Sequence, residues 1–340
     1  MAQEGVIGGP EEMKPMSKSH AEPVRIAIIG AGNVGATTAY ALLLSGLAAE
    51  IVLIDVERSK AEGQAMDLNH AQPFAHPTRI WAGDYADCAG AAIVIVAAGT
   101  NQKAGENRLD LIKKNASIFQ KIIPDVARHA ANAILVIATN PVDVLTYAGW
   151  KLSGFPPNRV IGSGTILDTA RFRYLLGRHF GIDPQSVHAY IIGEHGDSEV
   201  PVWSLANIAG IRLREFCQHE DLPYDEKAMQ SISRQTRTAG YDIVRLKGAT
   251  DYGVATGVVR IVEAILRDEN TLLTISSPTQ HYGISEVCLS LPTKVNRKGA
   301  DHILHLPLNE DELSGLVTSA GIVKAAIATL NLDSSHHAAA

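Results

Sequence analysis

Six short, almost unbroken apolar runs constrain this chain more than any other feature. They are VRIAIIG (24–30), EIVLID (50–55), TRIWAG (78–83), AAIVIVAAG (91–99), AILVIATN (133–140) and RVIGSG (159–164). They are rich in β-branched residues and lack the apolar–polar alternation of a half-solvated strand. Such runs suit strands buried on both faces, as in a parallel sheet. Helix-like stretches separate them, so successive runs read as strand–helix–strand units with right-handed crossovers. The predicted class is α/β: a doubly wound, parallel, six-stranded sheet over residues 23–164. Ligands on such a sheet sit outside the carboxyl ends of the strands. The polar motifs fall there: GAGNVG, Asp55, GTNQ and TNP.

Beyond about Gly164 the texture changes. Longer helical patterns cover 165–180, 224–246 and 251–269, and strand-like HAYIIG (188–193) and EVCLSLPTKV (286–295) interrupt them. Residues 165–332 are therefore expected to form a mixed α+β domain that supplies substrate groups. Residues 1–22 and 333–340 have no period and are expected to be a flexible extension and a flexible tail. His336 and His337 in that tail suggest solvated side chains more than metal ligands.

Composition excludes several classes. The net charge is −6, with no Lys/Arg block, so no basic field attracts nucleic acid. No apolar run reaches the roughly 18 residues of a membrane span, and MAQEGVIGGPEEMKPMSKSH lacks a signal-peptide core. Cys88, Cys217 and Cys288 lie far apart, form no metal-ligand pair and are odd in number. Buried thiols in a reducing cytoplasm, with no metal site, are the expectation.

GAGNVG places Gly30, Gly32, Asn33, Val34 and Gly35 between an apolar strand and a helix of small residues. The first glycine permits the tight turn, the second leaves room for a pyrophosphate, and the third lets helix and strand pack closely. The helix N-terminus then offers free N–H groups to the phosphates. Asp55, ending the second run, can accept both ribose hydroxyls and would repel a 2′-phosphate. Together these features form a Rossmann-type fingerprint and favour NAD over NADP. Gly99 and Thr100, after the fourth run, lie on the same edge.

Three polar segments carry candidate chemistry. IIGEHGDSEVPVW puts His195 in a polar turn after an apolar strand; its ordinary pKa suits proton exchange near neutrality, and a purely structural histidine is the alternative. TILDTARFRY spaces Asp168 and Arg171 i, i+3 on one helical face. Asp168 can orient an imidazole and stabilise its charged form, and Arg171 can grip a carboxylate with two bonds. An exposed ion pair between the two is the other reading. GTNQKAGENRLDLIKKN (99–115) reads as a loop entering a helix near Leu109. It is suited to closing over a substrate, with Arg108 placed to polarise a ketone oxygen or simply to be solvated. Asn140 in ATNPVDV can bond a cofactor ribose or substrate, or cap the following helix.

GAGNVG, GTNQKAGENRLDL, ATNPVDVLT, LDTARFR and GEHGDSEVPVW occur in order, at separations that resemble the lactate/malate dehydrogenase family from about Val24 to Leu332. The resemblance implies NAD-dependent hydride transfer on a 2-hydroxy acid, with His195 as proton donor and acceptor and Asp168 as its partner. It further implies Arg171 as carboxylate clamp, Arg108 as polariser, Asn140 serving cofactor and substrate, and Thr250, in LKGATDYG, in the pocket. Gln102 stands where the family's lactate enzymes carry glutamine and its malate enzymes arginine. A neutral side chain there suits pyruvate, because a second carboxylate would be left unpaired. Fermentative conversion of pyruvate to L-lactate is thus implied. A malate or broader L-2-hydroxy-acid enzyme is the alternative, and a non-catalytic NAD-binding regulator is disfavoured by the retained polar residues. Arg173 and His188 match the pair that binds fructose 1,6-bisphosphate in the family's bacterial, allosterically activated homotetramers; an ordinary exposed basic pair is the other reading.

Overall fold

The computed structural model describes residues 23–100, 108–330 and 332, with Arg108 described in its backbone only. The six apolar runs form β1 (Arg25–Ile29), β2 (Glu50–Ile54), β3 (Arg79–Ala82), β4 (Ala91–Val96), β5 (Ile134–Ile137) and β6 (Val160–Gly162). They pair in parallel in the order β3-β2-β1-β4-β5-β6. The order reverses between β1 and β4, which opens the crevice used for ligands in doubly wound sheets.

Burial explains the unbroken apolar runs. Ile26, Ile28, Ile93 and Ile95 point into one core with Leu42, Leu43, Val258 and Ile261. Their neighbours Ala27, Ile29, Val94 and Val96 point the opposite way, into a core with Phe119, Ile123 and Leu145. Each strand alternates between two dry faces, so neither face calls for polar residues. The helices α1 (Asn33–Ser45) and α2 (Arg58–Ala71) follow β1 and β2, while α3 (Arg108–His129) and α4 (Val142–Ser153) flank β5.

The sheet does not end at β6. Three strands of the second half, β12 (Thr271–Thr279), β13 (Val287–Asn296) and β14 (Gly299–Ile303), extend it to nine in the order β14-β13-β12-β6. These three are antiparallel, and β12 meets β6 at the single pair Ser276–Gly162. The expected six-stranded sheet is therefore the parallel part of a larger mixed sheet. HAYIIG is likewise not one strand. It supplies β7 (Val187–His188) and β8 (Ile191–Ile192), which join different small sheets: β7 pairs with β10 (Asn207–Ile208), itself paired with β11 (Ile211–Arg212), and β8 pairs with β9 (Val200–Pro201).

Five helices complete the second half: α5 (Ile166–Phe180), α6 (Leu213–His219), α7 (Glu226–Lys247), α8 (Tyr252–Leu266) and α9 (Glu310–Ile327). Gly253 and Gly257 of α8 lie so close to Leu167 and Ile166 that an added Cβ would stand 2.8 and 3.1 Å from them. That contact seats the start of α8 against the first turn of α5. Among the described residues no helix is long and apolar enough to cross a membrane.

Candidate active site

The glycine loop after β1 is shaped by backbone alone. Gly30 has φ +101°, and a Cβ on it would stand 2.6 Å from the Ala98 nitrogen. A Cβ on Gly35 would fall 1.8 Å from the Gly30 carbonyl oxygen, so α1 leans directly on the turn. Gly32 differs: a Cβ there would meet nothing nearer than the Lys60 Nζ at 3.9 Å. The space in front of Gly32 is open, and Lys60 brings a cation to its rim. No side chain caps α1 at Gly32, so its first N–H groups, around Asn33 and Val34, face that space with the positive end of the helix dipole. This cradle fits a dinucleotide pyrophosphate. Asp55 is bound into the same loop: its Oδ2 accepts the Ala31 N–H at 2.7 Å and its Oδ1 the Glu57 N–H at 2.9 Å.

The neighbouring strand ends are knotted by Asn115, a fully buried residue of α3. Its Oδ1 accepts the Thr100 N–H at 2.8 Å, and its Nδ2 donates to the Asn140 carbonyl at 2.8 Å. Gly99 is required there, because a Cβ would stand 2.4 Å from the Thr139 Cγ2. Asn140 itself is exposed and does not cap α4, whose first turn has no side-chain cap.

On the other side of this edge, α5 starts directly after β6 and carries Asp168 in its first turn. The Thr169 hydroxyl accepts the Ile191 N–H at 3.0 Å, which fixes β8 beside α5. The chain then turns through Gly193, with φ +89°, and presents His195. Asp168 divides its carboxylate between two partners. Oδ2 lies 2.5 Å from the His195 Nδ1, and Oδ1 accepts from an Arg171 NH group at 2.9 Å. The Asp168 side chain is only 3% exposed, so this is no surface ion pair. His195 remains 25% exposed and Arg171 15%, so both can reach a ligand.

Electrostatics follows from this geometry. Burial alone would pull the His195 pKa down. The Asp168 charge and hydrogen bond, with help from Asp143, outweigh it and push the imidazole up to about 9, with Arg171 opposing. Burial likewise works to raise Asp168, but His195 and then Arg171 hold it below the ordinary aspartate value. With Nδ1 facing a carboxylate, the proton available to a substrate is on Nε2.

Two further groups complete the surroundings. Glu199 is 5% exposed and closes the His195 turn through a backbone bond to the Gly196 carbonyl at 3.1 Å. Burial and then Asp168 push its carboxyl up to about 8, against His195, Arg237 and Arg171. Ser319 of α9 pins the turn from behind. Its hydroxyl accepts the Glu194 N–H at 2.7 Å and lies 3.0 Å from the Ser198 hydroxyl. Thr250 is half-buried in the connector between α7 and α8, without a hydrogen bond to Asp168, Arg171 or His195. Gln102 lies outside the described residues, as does the side chain of Arg108, the first residue of α3. Arg173 donates to the carbonyls of Pro184 and Gln185 at 3.3 Å each, on the turn leading into β7, where His188 is exposed.

Sequence reasoning missed Asn115, Asp143, Glu199 and Ser319. The one available signal was Asp143, a lone charge in the apolar start of a helix.

Comparison with known proteins agrees with this geometry. The family model for the lactate/malate dehydrogenase NAD-binding domain matches residues 24–162, and that for the family's α/β C-terminal domain matches 165–331. The chain belongs to the lactate/malate dehydrogenase family. NAD is accordingly its cofactor. Among relatives, it is 56% identical to a Schizosaccharomyces pombe protein named a probable L-lactate dehydrogenase, over 91% of this chain and 94% of that one. It is 53% identical to the L-lactate dehydrogenase of Acetivibrio thermocellus, over 91% and 98%. The crystal structure of a minor L-lactate dehydrogenase from Enterococcus mundtii, in a ligand-bound form, superposes with a TM-score of 0.88. That match is at 39% identity and covers 92% of this chain and 99% of the other.

Proposed function

We propose that this chain reduces pyruvate to L-lactate, and reverses the reaction, through the His195–Asp168–Arg171 constellation. It is an NAD-dependent lactate dehydrogenase. The observation that carries the residue roles is the buried Asp168, which binds His195 and Arg171 with separate oxygens. Gly30–Gly35, with Asp55, Gly99, Thr100 and Asn140, would hold NADH, which would supply the hydride when bound. His195 donates the Nε2 proton to the ketone oxygen as hydride reaches C2. Asp168 keeps the imidazole oriented and offsets its charge. Arg171 spends one nitrogen on Asp168 and presents the rest of its fork to the substrate carboxylate. Arg108 is assigned to polarise the carbonyl, the neutral Gln102 to select the methyl end of pyruvate, and Thr250 to the pocket wall. In the reverse direction neutral His195 accepts the hydroxyl proton of L-lactate. His195→Asn should lower kcat by about 10²–10⁴-fold while NADH binding persists. A variant that turns over at the parent rate would end this assignment.

The division of labour is a cofactor domain over 23–164 and a substrate domain over 165–332. The three free, buried cysteines suit a reducing cytoplasm. We further place fructose 1,6-bisphosphate at Arg173 and His188 of an allosteric homotetramer, because the Arg173 guanidinium is held on the 184–185 turn that leads into β7, where the His188 imidazole is exposed. Initial rates with pyruvate, oxaloacetate and 2-oxoisocaproate, each with and without the bisphosphate, test both the substrate and the activator. Saturation curves that overlay with and without it would remove the activator, and a preference for oxaloacetate would remove Gln102 as selector.

A further inference from the structure

Asp143 takes no part in the reaction as derived above, yet it is among the most deeply placed charges in the molecule. It stands in the first turn of α4, three residues after Asn140, and is 2% exposed. Its Oδ2 accepts the backbone N–H of His195 at 2.7 Å. Its Oδ1 accepts the Ser276 hydroxyl at 2.6 Å and lies 3.4 Å from the Ser290 hydroxyl. Ser290 Oγ in turn accepts the Thr165 N–H at 3.1 Å, which leaves its own proton free for Asp143. Every neighbour can donate, and an ionised carboxylate can only accept. Burial, with the Asp168 charge adding to it, holds the Asp143 pKa above the ordinary aspartate value, against the opposing pull of the Ser276 bond, the His195 N–H and the His195 charge.

The tie crosses the molecule. Asp143 and Asn140 belong to the half matched as NAD-binding domain; His195, Ser276 and Ser290 belong to the other half. Asn115 holds the Asn140 carbonyl from the opposite side. The edge that meets the nicotinamide and the turn that carries the imidazole are thereby joined through one buried anion. We propose that Asp143 is a positioning residue for the proton donor: its carboxylate accepts the His195 N–H and holds the His195 turn against the Asn140 edge. This inference rests on His195 being that donor. Asp168 fixes the ring and Asp143 fixes the backbone that bears it. Fixing both sets the distance between proton donor and hydride donor, to which such reactions are sensitive.

Among the described residues, the charged and titratable groups around His195 are Asp168 and Arg171 on α5, Asp143 on α4, and Glu194, Asp197 and Glu199 on its own turn. Arg237 on α7 acts on Glu199, Cys288 on β13 lies near Asp143, and α9 contributes the uncharged Ser319. Of the groups that raise the imidazole, only Asp168 exceeds Asp143.

Asp143→Asn separates charge from shape, since the amide oxygen can still accept the His195 N–H and the serine hydroxyls can turn to accept from its nitrogen. The probe is oxamate, the amide isostere of pyruvate, titrated into the NADH complex from about pH 6 to about pH 10. Binding should follow His195 protonation. In the Asn variant the midpoint should fall by about 0.5–1 unit, which leaves affinity near pH 6 within about twofold and lowers it about three- to tenfold on the alkaline side. NADH affinity should not change. Should the amide prevent folding, Asp143→Ser offers a smaller neutral acceptor and the same downward shift is expected. An unshifted midpoint in either folded variant, with affinity unchanged or lowered equally at all pH values, overturns the proposal. His195→Asn is run alongside. If it keeps the parent midpoint, the fault lies in the assignment of His195 and not in that of Asp143.

Discussion

The two halves of this site are built from different materials. The cofactor half is backbone: Gly30, Gly32 and Gly35 shape a turn, and the uncapped start of α1 supplies N–H groups. The substrate half is side chain: Asp168, Arg171 and His195 form a buried ionic network, braced by Glu199, Asp143 and Ser319. At Gly30 and Gly35 the backbone site tolerates no added atom, because the chain itself occupies the space. An ionic site tolerates atoms but not changes of charge, because each group's ionisation depends on the others. Binding should therefore fail first in one half and chemistry first in the other.

The sharpest way to break this contrast is Gly35→Ala. Its Cβ would fall 1.8 Å from a backbone oxygen, so α1 must move. The variant should lose roughly 1–3 kcal/mol or more of stability and bind NADH at least about tenfold more weakly. Calorimetry and nicotinamide fluorescence would show both, and an unchanged NADH Kd would contradict a backbone-built site. Asp168→Asn should do the reverse, lowering kcat/KM for pyruvate by about 10²–10⁴-fold and leaving NADH affinity within about twofold. If NADH binding weakened as much as turnover, the two halves would not be separable.

Glu199 offers the smallest effect. Its carboxyl is raised to about 8 in the folded chain against an ordinary 4.5. The unfolded chain thus releases this proton first, and stability falls as pH rises between those values. Glu199→Gln should remove that loss. It should raise Tm by about 2–4 °C near pH 7.5 and leave it unchanged near pH 4, where both forms are neutral. Thermal scans in which parent and variant share the same Tm at both pH values would show that Glu199 carries no such burden.

The same contrast explains what the sequence could reveal. The parallel strands were legible because burial on two faces demands unbroken apolar runs, as in Ile26 to Ile29. GAGNVG was legible because a turn and a helix start are contiguous in the chain. The three antiparallel strands that extend the sheet were hidden, since β12 joins β6 through one pair, Ser276–Gly162, over a long separation. Asp168 and Arg171 announced themselves by helical spacing. Their link to His195 did not, because it depends on Thr169 holding β8 against α5. Asn115 sits in the ordinary helical stretch LIKKNAS, and its role exists only once β4 and β5 bring Thr100 and Asn140 to its amide. Contacts made across the fold leave no local pattern to read.

The central claim is that one imidazole, raised by Asp168, serves both directions of the reaction. The direct test is kcat/KM against pH, measured for pyruvate with NADH and for L-lactate with NAD. With the His195 pKa near 9, the pyruvate profile should be flat below that value and fall above it. The lactate profile should rise over the same interval, with a shared midpoint. Two profiles that moved in the same direction, or that turned at well-separated pH values, would contradict it.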